Sequence, residues 1–314
     1  MTIDAITVRD LTKRYKRSEH NAIDHISFSV HEGEFFALLG PNGAGKTTTL
    51  SILTTTLSKT SGEVLIAGHD LDRYPHAVRR SIGVMFQGHS LDDLLTAEEN
   101  IRMHVALYGA YPFRPFFGAM PRPYRRRLME LAAMVGLENN MFELTAKFSG
   151  GMKRKLEVIR ALIHKPKILF LDEPSTGLDP VSRKAIWDYI HTIRERDKVT
   201  VFLTTHYLDE AEAADLVCIV NHGKIMLKGT PENLKEKLLD KKLEIDAENK
   251  DALRAELYRK KIRFSEDKHF IVPLVRANAQ KIISSIKTPL TLVKTESPTL
   301  EEAYIQIIKN GRNH

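Results

Sequence analysis

The sequence is poor in cysteine and contains no long apolar run. Its 314 residues include one cysteine, Cys218, within the apolar segment 216–220. No disulfide can therefore form within the chain, and the thiol is expected in a buried core. No apolar run approaches the length that crosses a bilayer, and the N-terminus lacks a secretory signal pattern. We therefore expect a cytosolic protein that reaches a membrane only through a partner.

The composition is that of an ordinary folded protein with a basic excess. Hydrophobic residues make up 42% and charged residues 28%, and the length allows one large and one small domain or two medium ones. The net charge of +7 would suit nucleic acid or an anionic membrane surface. However, the densest basic clusters, Arg125–Arg127 and Lys153–Lys155, sit in helical patterns, where a solvated helix face is the simpler interpretation. Charge alone therefore selects no partner.

One segment carries a specific chemical signal. Residues 40–47, Gly-Pro-Asn-Gly-Ala-Gly-Lys-Thr, fit the phosphate-loop pattern G-x-x-x-x-G-K-[ST] between an apolar strand, 35–39, and a helical segment, 47–57. In such a loop, backbone N–H groups surround phosphate oxygens at the positive end of the helix. Lys46 would reach the β- and γ-phosphates, and the Thr47 hydroxyl would ligate Mg²⁺. A glycine-rich turn without a ligand is the competing interpretation, and the full match in the right context favours the phosphate loop.

Polar side chains follow several of the other predicted strands. Strands are predicted over 3–15, which Tyr15 ends, and over 26–39. Three further predicted strands are each followed by polar residues: 82–86 by Gln87, 167–171 by Asp172 and Glu173, and 199–205 by His206. The C-terminal ends of buried parallel strands are where α/β sheets place ligands. Two adjacent acids there are costly without a ligand or metal. A lone histidine at a strand end is, in contrast, usually structural.

Helical periodicity dominates from about residue 90 to residue 163. The stretch 111–123 interrupts it with four prolines and is predicted to be a loop, either a docking surface or a loop packed on its own domain. Further along, Ser149 is a good N-cap, and Gly150 and Gly151 leave the first N–H groups of the next helix open to an anion. By itself this last pattern is only a capped helix start.

The composition changes near residues 231–237, a charged helical linker. Beyond it we predict strand 242–247, helix 251–260, strands 262–266 and 269–274, helix 277–287, strand 291–296 and helix 299–309. This order, βαββαβα, is typical of a small α+β sandwich of ferredoxin-like type with an extra terminal helix. We find no catalytic constellation in it.

The order of the polar signals resembles that of ABC-transporter nucleotide-binding domains over about residues 1–235. The phosphate loop, Gln87, Ser149-Gly150-Gly151, Asp172-Glu173, Asp179 and His206 follow one another as in that family. Segments 86–100 and 204–212 and the tail 297–304 are similar to the daunorubicin-exporter type of ATPase subunit, which pairs with ABC-2 permeases. Phe148 departs from the family pattern, which usually has leucine there; we expect function to survive because this side chain should pack inward.

The resemblance implies an α/β fold with two domains. Residues 1–235 would form the P-loop NTPase core of an ABC ATPase: a RecA-like α/β subdomain with an antiparallel β layer, plus an α-helical subdomain at about 90–163. Residues 236–314 would form a small accessory α+β C-terminal domain of ferredoxin-like type.

The resemblance also implies a role for each site residue. Tyr15 would stack on adenine, and the phosphates of ATP would be held by Gly40, Pro41, Asn42, Gly43, Ala44, Gly45, Lys46, Thr47 and Thr48. The residues that hold Mg²⁺ would be Thr47, Gln87 and Asp172. Glu173 would be the general base or water-orienting group, acting with Lys46, Gln87 and His206. Ser149, Gly150 and Gly151 would complete the site from a second subunit, with Asp179 at the subunit interface.

The implied protein is the ATP-hydrolysing subunit of an ABC-2 type exporter, cytoplasmic and peripheral at the inner face of the membrane. Its partners would be a second copy, in an ATP-sandwich dimer, and an integral membrane permease. The alternative is a soluble ABC ATPase acting on nucleic acid or ribosomes, which the single ATPase core and the lack of zinc-ligand cysteines argue against. A regulatory subunit that binds ATP without hydrolysing it is a third interpretation, which Glu173 and His206 oppose.

Overall fold

The polypeptide forms two structural units. A computed structural model describes residues 4–88, 90–238, 242–274, 279–296, 299–302 and 304–305. The first unit comprises residues 1–228 and the second residues 229–314.

A six-stranded sheet forms the framework of the first unit. Its strands are β3 (Phe35–Leu39), β6 (Ile82–Met85), β7 (Ile168–Asp172), β8 (Thr200–Thr205), β9 (Leu216–Asn221) and β10 (Lys224–Gly229). They lie in the order β10-β9-β3-β8-β7-β6, with parallel pairing from β9 to β6. All residues of β3, β6, β7 and β8 are buried. Parallel strands are covered on both faces, which explains their continuous apolar sequences. Their C-terminal ends share one edge.

An antiparallel layer precedes the phosphate loop in the chain. It contains β1 (Asp4–Lys13), β2 (Ile23–His31), β4 (Ser61–Ile66) and β5 (His69–Asp70), in the order β2-β1-β4-β5. The prediction of one strand over 26–39 was wrong, because β2 and β3 belong to different sheets. A turn at Gly33, with a φ of +76°, separates them. Tyr15 lies beyond the end of β1, not at the end of the strand.

Within the described residues of the first unit, the α-helices that connect these strands are α1 (Lys46–Leu53), α2 (Pro75–Ser81), α3 (Ala97–Leu107), α4 (Arg122–Val135), α5 (Gly150–Leu162), α6 (Pro180–Asp197) and α7 (Leu208–Glu212). The predicted helical subdomain contains α3, α4 and α5. The proline-rich stretch is not entirely loop, because α4 begins at Arg122 with Pro123 in its first turn, where a missing N–H is tolerated. Within the described ranges, no helix is long and apolar enough to cross a membrane.

Aromatic rings join the layers of the first unit. Phe28 of β2 stacks on Phe36 of β3 at 5.2 Å between ring centroids, and Phe36 stacks on Phe202 of β8 at 5.1 Å. Successive residues of a strand point to opposite faces. Phe35 accordingly points to the other face of the sheet, where it stacks on Trp187 of α6 at 5.8 Å.

The second unit is a small α+β structure. It contains α8 (Pro231–Leu238), β11 (Lys242–Asp246), α9 (Lys250–Arg259), β12 (Ser265–Glu266), β13 (Phe270–Pro273), α10 (Ala279–Ser285) and β14 (Leu292–Glu296). The antiparallel sheet has the order β12-β13-β11-β14. The ferredoxin-like assignment stays a prediction, which this strand order supports. Of the predicted helix 299–309, residues 300–302 and 304–305 are helical, and most of the remainder lies outside the described residues.

Candidate functional site

The phosphate loop, residues 40–48, connects β3 to α1. A Cβ on Gly40 would lie 2.4 Å from the carbonyl oxygen of Val220, and one on Gly45 would lie 2.6 Å from that of Ala22. Gly45 also has a φ of +104°, which side chains disfavour. It is the N-cap of α1, which has neither a side-chain cap nor an acidic residue in its first turn. The first N–H groups of α1 are therefore available to an anion.

Lys46 lies at the base of this loop. Its ammonium donates hydrogen bonds to the carbonyl oxygens of Gly40, at 2.8 Å, and Pro41, at 3.2 Å. The same Nζ lies 3.7 Å from Oε1 of Glu173. Burial lowers the pKa of Lys46, whereas the nearby carboxylates of Glu173 and Asp172 raise it. Burial is the larger effect, so the pKa of this desolvated ammonium is lowered overall.

Asp172 and Glu173 are both buried where β7 ends. Burial raises the pKa of Asp172, while a hydrogen bond from the Thr204 hydroxyl and the charge of Lys46 oppose that rise. Glu173 has a φ of +47°, an uncommon and strained conformation for a residue with a side chain. Such outliers concentrate at functional sites, where the surrounding structure maintains them.

Three polar side chains, those of Gln87, Thr176 and His206, lie close to the carboxylate of Glu173. Its Oε2 accepts hydrogen bonds from Gln87 Nε2, at 3.2 Å, and from the Thr176 hydroxyl, at 3.3 Å. His206 Nδ1 lies 3.0 Å from Oε1, in a close polar contact without hydrogen-bond alignment. The ends of three parallel strands thus meet around one carboxylate.

These side chains line a common cavity of about 510 Å³. Its lining residues are Ala22, Asn42, Gly43, Gly45, Lys46, Thr47, Thr48, Gln87, Glu173, Thr176 and His206. All but Ala22 and Thr176 are residues that the sequence predicts for the site. Those two belong to no recognisable pattern, so only their position in the fold reveals them.

Other predicted residues lie outside the lining of this cavity. Tyr15 is 44% exposed beside the loop, and its hydroxyl lies 3.3 Å from the Thr48 hydroxyl. Ser149 caps α5 by accepting a hydrogen bond from the Met152 N–H at 3.2 Å. Asp179 caps α6 by accepting hydrogen bonds from the N–H groups of Val181 and Ser182. A side-chain hydrogen bond from Ser182, together with these N–H groups, lowers the pKa of its carboxyl group. Ser149 and Asp179 are both exposed.

Phe148 and Gly151 lie on either side of Ser149 in the sequence and have different surroundings. Phe148 is buried, with 6% of its surface exposed, as expected for the position at which the family usually has leucine. A Cβ on Gly151 would lie 2.9 Å from the Ser182 hydroxyl oxygen, so the starts of α5 and α6 are neighbours.

The two basic clusters are not simply solvated helix faces, contrary to the prediction. Arg127 is buried and donates a hydrogen bond to Asp197 at 2.9 Å. Arg154 is 2% exposed and donates to main-chain carbonyl oxygens near Gln87. A cationic side chain is buried only when partners compensate its charge, and the local sequence does not reveal such distant partners.

Comparison with known proteins identifies the relatives of this chain. The family model described as ABC transporter matches residues 23–176. The doxorubicin resistance ATP-binding protein DrrA of Mycobacterium tuberculosis is 38% identical over 257 residues, which are 81% of this chain and 75% of that protein. This chain belongs to the family of ABC transporter ATP-binding proteins. The daunorubicin/doxorubicin resistance ATP-binding protein DrrA of Streptomyces peucetius is 39% identical over 235 residues, 74% of this chain and 68% of that protein.

Solved structures of ABC ATPases have the same core fold. An ATP-binding subunit of an ABC transporter matches with a TM-score of 0.65 and 30% identity, over 74% of this chain and 92% of that one. The ATP-binding cassette MJ0796, in a dimeric post-hydrolysis state bound to ADP and Pi, matches with a TM-score of 0.63 and 28% identity, over 72% and 98%. The predicted P-loop NTPase fold of an ABC ATPase is confirmed.

The predicted biochemical class is confirmed as well. This ABC ATPase binds and hydrolyses ATP, and it is the ATP-binding subunit of an ABC-2 type exporter. The relatives described above do not favour the alternative of a soluble ATPase acting on nucleic acid or ribosomes.

Proposed function

We propose that the cavity beside α1 binds the phosphates of ATP together with Mg²⁺, and that Glu173 directs the attacking water. The observation that carries this proposal is the convergence of the phosphate loop, Gln87, Glu173 and His206 on one cavity of about 510 Å³. The N–H groups at the start of α1 and the buried ammonium of Lys46 supply positive charge for the phosphates. Tyr15, whose hydroxyl lies 3.3 Å from that of Thr48, would contact the adenine.

The oxygen atoms near Lys46 fit a magnesium ion. Mg²⁺ prefers oxygen ligands and usually combines one or two carboxylates with substrate phosphates and water. Thr47 offers a hydroxyl, Asp172 a carboxylate and Gln87 an amide oxygen. Among the described residues there is no cluster of three or more His, Cys, Asp or Glu that could hold a metal. We therefore assign Mg²⁺ to these three side chains acting together with the nucleotide, where it would neutralise charge on the phosphates.

Glu173 is the proposed general base. Its carboxylate is buried, points into the cavity and accepts hydrogen bonds from Gln87 and Thr176. These donors fix its orientation, so that it can accept a proton from, or orient, a water molecule in line with the γ-phosphate. His206, 3.0 Å from the same carboxylate, would contact the γ-phosphate.

A second copy of the chain would complete the site. Ser149, Gly150 and Asp179 are exposed and do not line their own cavity. An exposed, capped helix start is suited to an anion that arrives from outside. We propose that Ser149, Gly150 and Gly151 contact the ATP of the other subunit in a head-to-tail dimer, with Asp179 at the interface.

A membrane permease is the second proposed partner, which would hold the protein at the inner face of the cytoplasmic membrane. The helical part exposes large apolar side chains: Leu94, Leu107, Phe113, Phe116 and Phe142. Contiguous exposed apolar groups mark interaction surfaces, and we propose that these side chains belong to one. The relatives are named for doxorubicin and daunorubicin resistance, which suggests a hydrophobic cargo that the permease would select.

Mixing two inactive variants tests the proposed dimer. Ser149→Arg blocks the contact with the other subunit's ATP, and Glu173→Gln removes the base. If Ser149 acts across the interface, a mixed dimer contains one intact site, made from the Glu173 of one subunit and the Ser149 of the other. Mixing should therefore restore ATP hydrolysis. A mixture that shows dimers by light scattering but no restored activity would exclude the exchange of these residues between subunits.

The permease partner is tested separately with Phe113→Ser/Phe116→Ser. Because neither side chain lines the ATP cavity, the ATPase rate of the purified double variant should equal that of the wild type. The variant should lose the multi-spanning protein that co-purifies with the tagged wild-type chain from gently solubilised membranes. Equal recovery of that protein would place the contact elsewhere.

A further inference from the structure

Arg154 connects the start of α5 to the catalytic site of its own subunit. Its guanidinium donates hydrogen bonds to the carbonyl oxygens of Phe86, at 2.7 Å, Gln87, at 3.0 Å, and Glu173, at 3.4 Å. Only 2% of Arg154 is exposed. A planar guanidinium with five donors can hold several acceptors in a fixed geometry, which a lysine ammonium cannot.

Glu157 compensates the buried charge and extends the connection. One carboxylate oxygen accepts from Arg154 at 2.7 Å, and the other accepts from the Ser90 N–H at 3.2 Å. Arg160, also on α5, donates to the Ser90 carbonyl oxygen at 2.7 Å. Helix α5 thus holds the main chain of the segment that follows β6 on both sides of Gln87.

The contact with Glu173 reaches a strained peptide. Glu173 has a φ of +47°, and both of its main-chain polar groups are hydrogen-bonded. Its N–H donates to the carbonyl oxygen of Thr204 at 3.0 Å, and its carbonyl oxygen accepts from the Thr176 N–H at 3.2 Å and from Arg154. A conformation of this kind persists only where its surroundings over-determine it. Because the carbonyl and the side chain belong to one residue, a displaced carbonyl would also redirect the carboxylate.

We infer that Arg154 is a positioning residue that couples the two ATP sites of the dimer. This inference rests on the proposed function, in which the Ser149 end of α5 binds the other subunit's ATP. Arg154 lies on the same rigid helix, about 7.5 Å along the axis from Ser149. Any rotation of α5 that follows contact with the other nucleotide is transmitted through Arg154 to Gln87 and Glu173. Binding of ATP at one site therefore positions the Gln87 and Glu173 of the other site for hydrolysis.

The test uses Arg154→Lys and the double variant Arg154→Met/Glu157→Leu. Arg154→Lys keeps the positive charge that Glu157 requires but loses the planar guanidinium that donates to several acceptors at once. The second removes both charges, a replacement that buried ion pairs often tolerate without loss of stability. Lys155→Met, which removes the neighbouring positive charge of α5, is the control. ATPase rate is measured against ATP concentration, ATP affinity by calorimetry and folding by circular dichroism.

We expect wild-type ATP affinity in every variant, because Arg154 does not line the cavity. In both Arg154 variants kcat should fall about 10- to 100-fold, as for a misplaced catalytic group. The Hill coefficient for ATP, above 1 in the wild type and in Lys155→Met, should approach 1.

Three results would overturn the coupling role: a wild-type Hill coefficient of 1, unchanged kinetics in a folded Arg154 variant, or a loss of ATP affinity as large as the loss of kcat. The last result would indicate a purely structural residue. Glu173→Gln, assayed in parallel, separates the two proposals. Wild-type turnover by Glu173→Gln refutes the proposed function itself, whereas an inactive Glu173→Gln beside normal Arg154 variants refutes only the coupling.

Discussion

Replacing Glu173 by glutamine changes one group of the site while preserving its shape. The carboxylate accepts hydrogen bonds from Gln87 and Thr176 on one oxygen and faces Lys46 and His206 with the other. A glutamine can keep its carbonyl oxygen toward the two donors, and its amide then takes the place of the oxygen that faces Lys46 and His206. The substitution therefore removes the base and its negative charge with little rearrangement.

The expected loss follows from the role of a positioned base. General-base catalysis contributes about 100- to 10,000-fold in rate. Loss of that contribution raises the barrier by about 3 to 5 kcal/mol. Binding of ATP should stay equal or become tighter, because a negative charge 3.7 Å from the Lys46 ammonium has been removed from a site for an anion. Binding and hydrolysis should thus separate clearly in this variant.

The assay compares release of inorganic phosphate with ATP affinity measured by calorimetry, for wild type, Glu173→Gln and Glu195→Gln. Glu195 is an exposed residue of α6 and provides a matched change of charge far along the helix from its N-cap. Wild-type turnover by Glu173→Gln would refute the reasoning. Equal losses of affinity and of rate would refute it too, since they would assign Glu173 to binding.

Three further predictions concern other parts of the first unit. Phe148→Leu should keep ATPase activity while Phe148→Ala loses about 3 to 5 kcal/mol of stability in urea unfolding, because the buried ring fills space in the core; equal stability of both variants would contradict this. Burial lowers the pKa of His104 from 6.5 to about 3. As the pH falls, the unfolded chain therefore binds a proton on this histidine at a higher pH than the native chain does, which lowers the stability of the native state. Between pH 7 and 5 the wild type should lose about 2 kcal/mol more stability than His104→Gln, measured by urea unfolding with circular dichroism, and parallel losses would exclude this histidine as the cause. Burial raises the pKa of Cys218 to about 12, so a maleimide should react with it only in denaturant, and rapid modification of the native protein would contradict its burial.

Much of the site could be predicted from the sequence because its residues are tied to local patterns. The apolar run of β7 predicts a buried strand, and its C-terminal end places Asp172 and Glu173 at the ligand-binding edge of the sheet. The phosphate loop combines fixed spacing with steric requirements at Gly40 and Gly45. In both cases a short stretch of chain contains the physical reason for its own structure.

The remaining features depend on contacts between distant parts of the chain. Arg154 resembles its lysine neighbours in sequence, and its burial follows from carbonyl oxygens of residues 86, 87 and 173 that only the folded chain brings near. Thr204 likewise becomes a partner of Asp172 through the pairing of β7 and β8. The break between β2 and β3 did have a local signal in Gly33, which the prediction of one strand over 26–39 overlooked.

The stacking of Trp187 on Phe35 also provides an intrinsic optical probe. The chain has one tryptophan, so its fluorescence originates from a single place in α6. Phe35 belongs to the strand that leads into the phosphate loop, and Asp179 caps the same helix as Trp187. A change of environment on either side of this indole would alter the emission of the unlabelled protein. Rapid-mixing experiments with ATP could therefore follow nucleotide binding and dimer formation in real time, without a dye or an engineered residue.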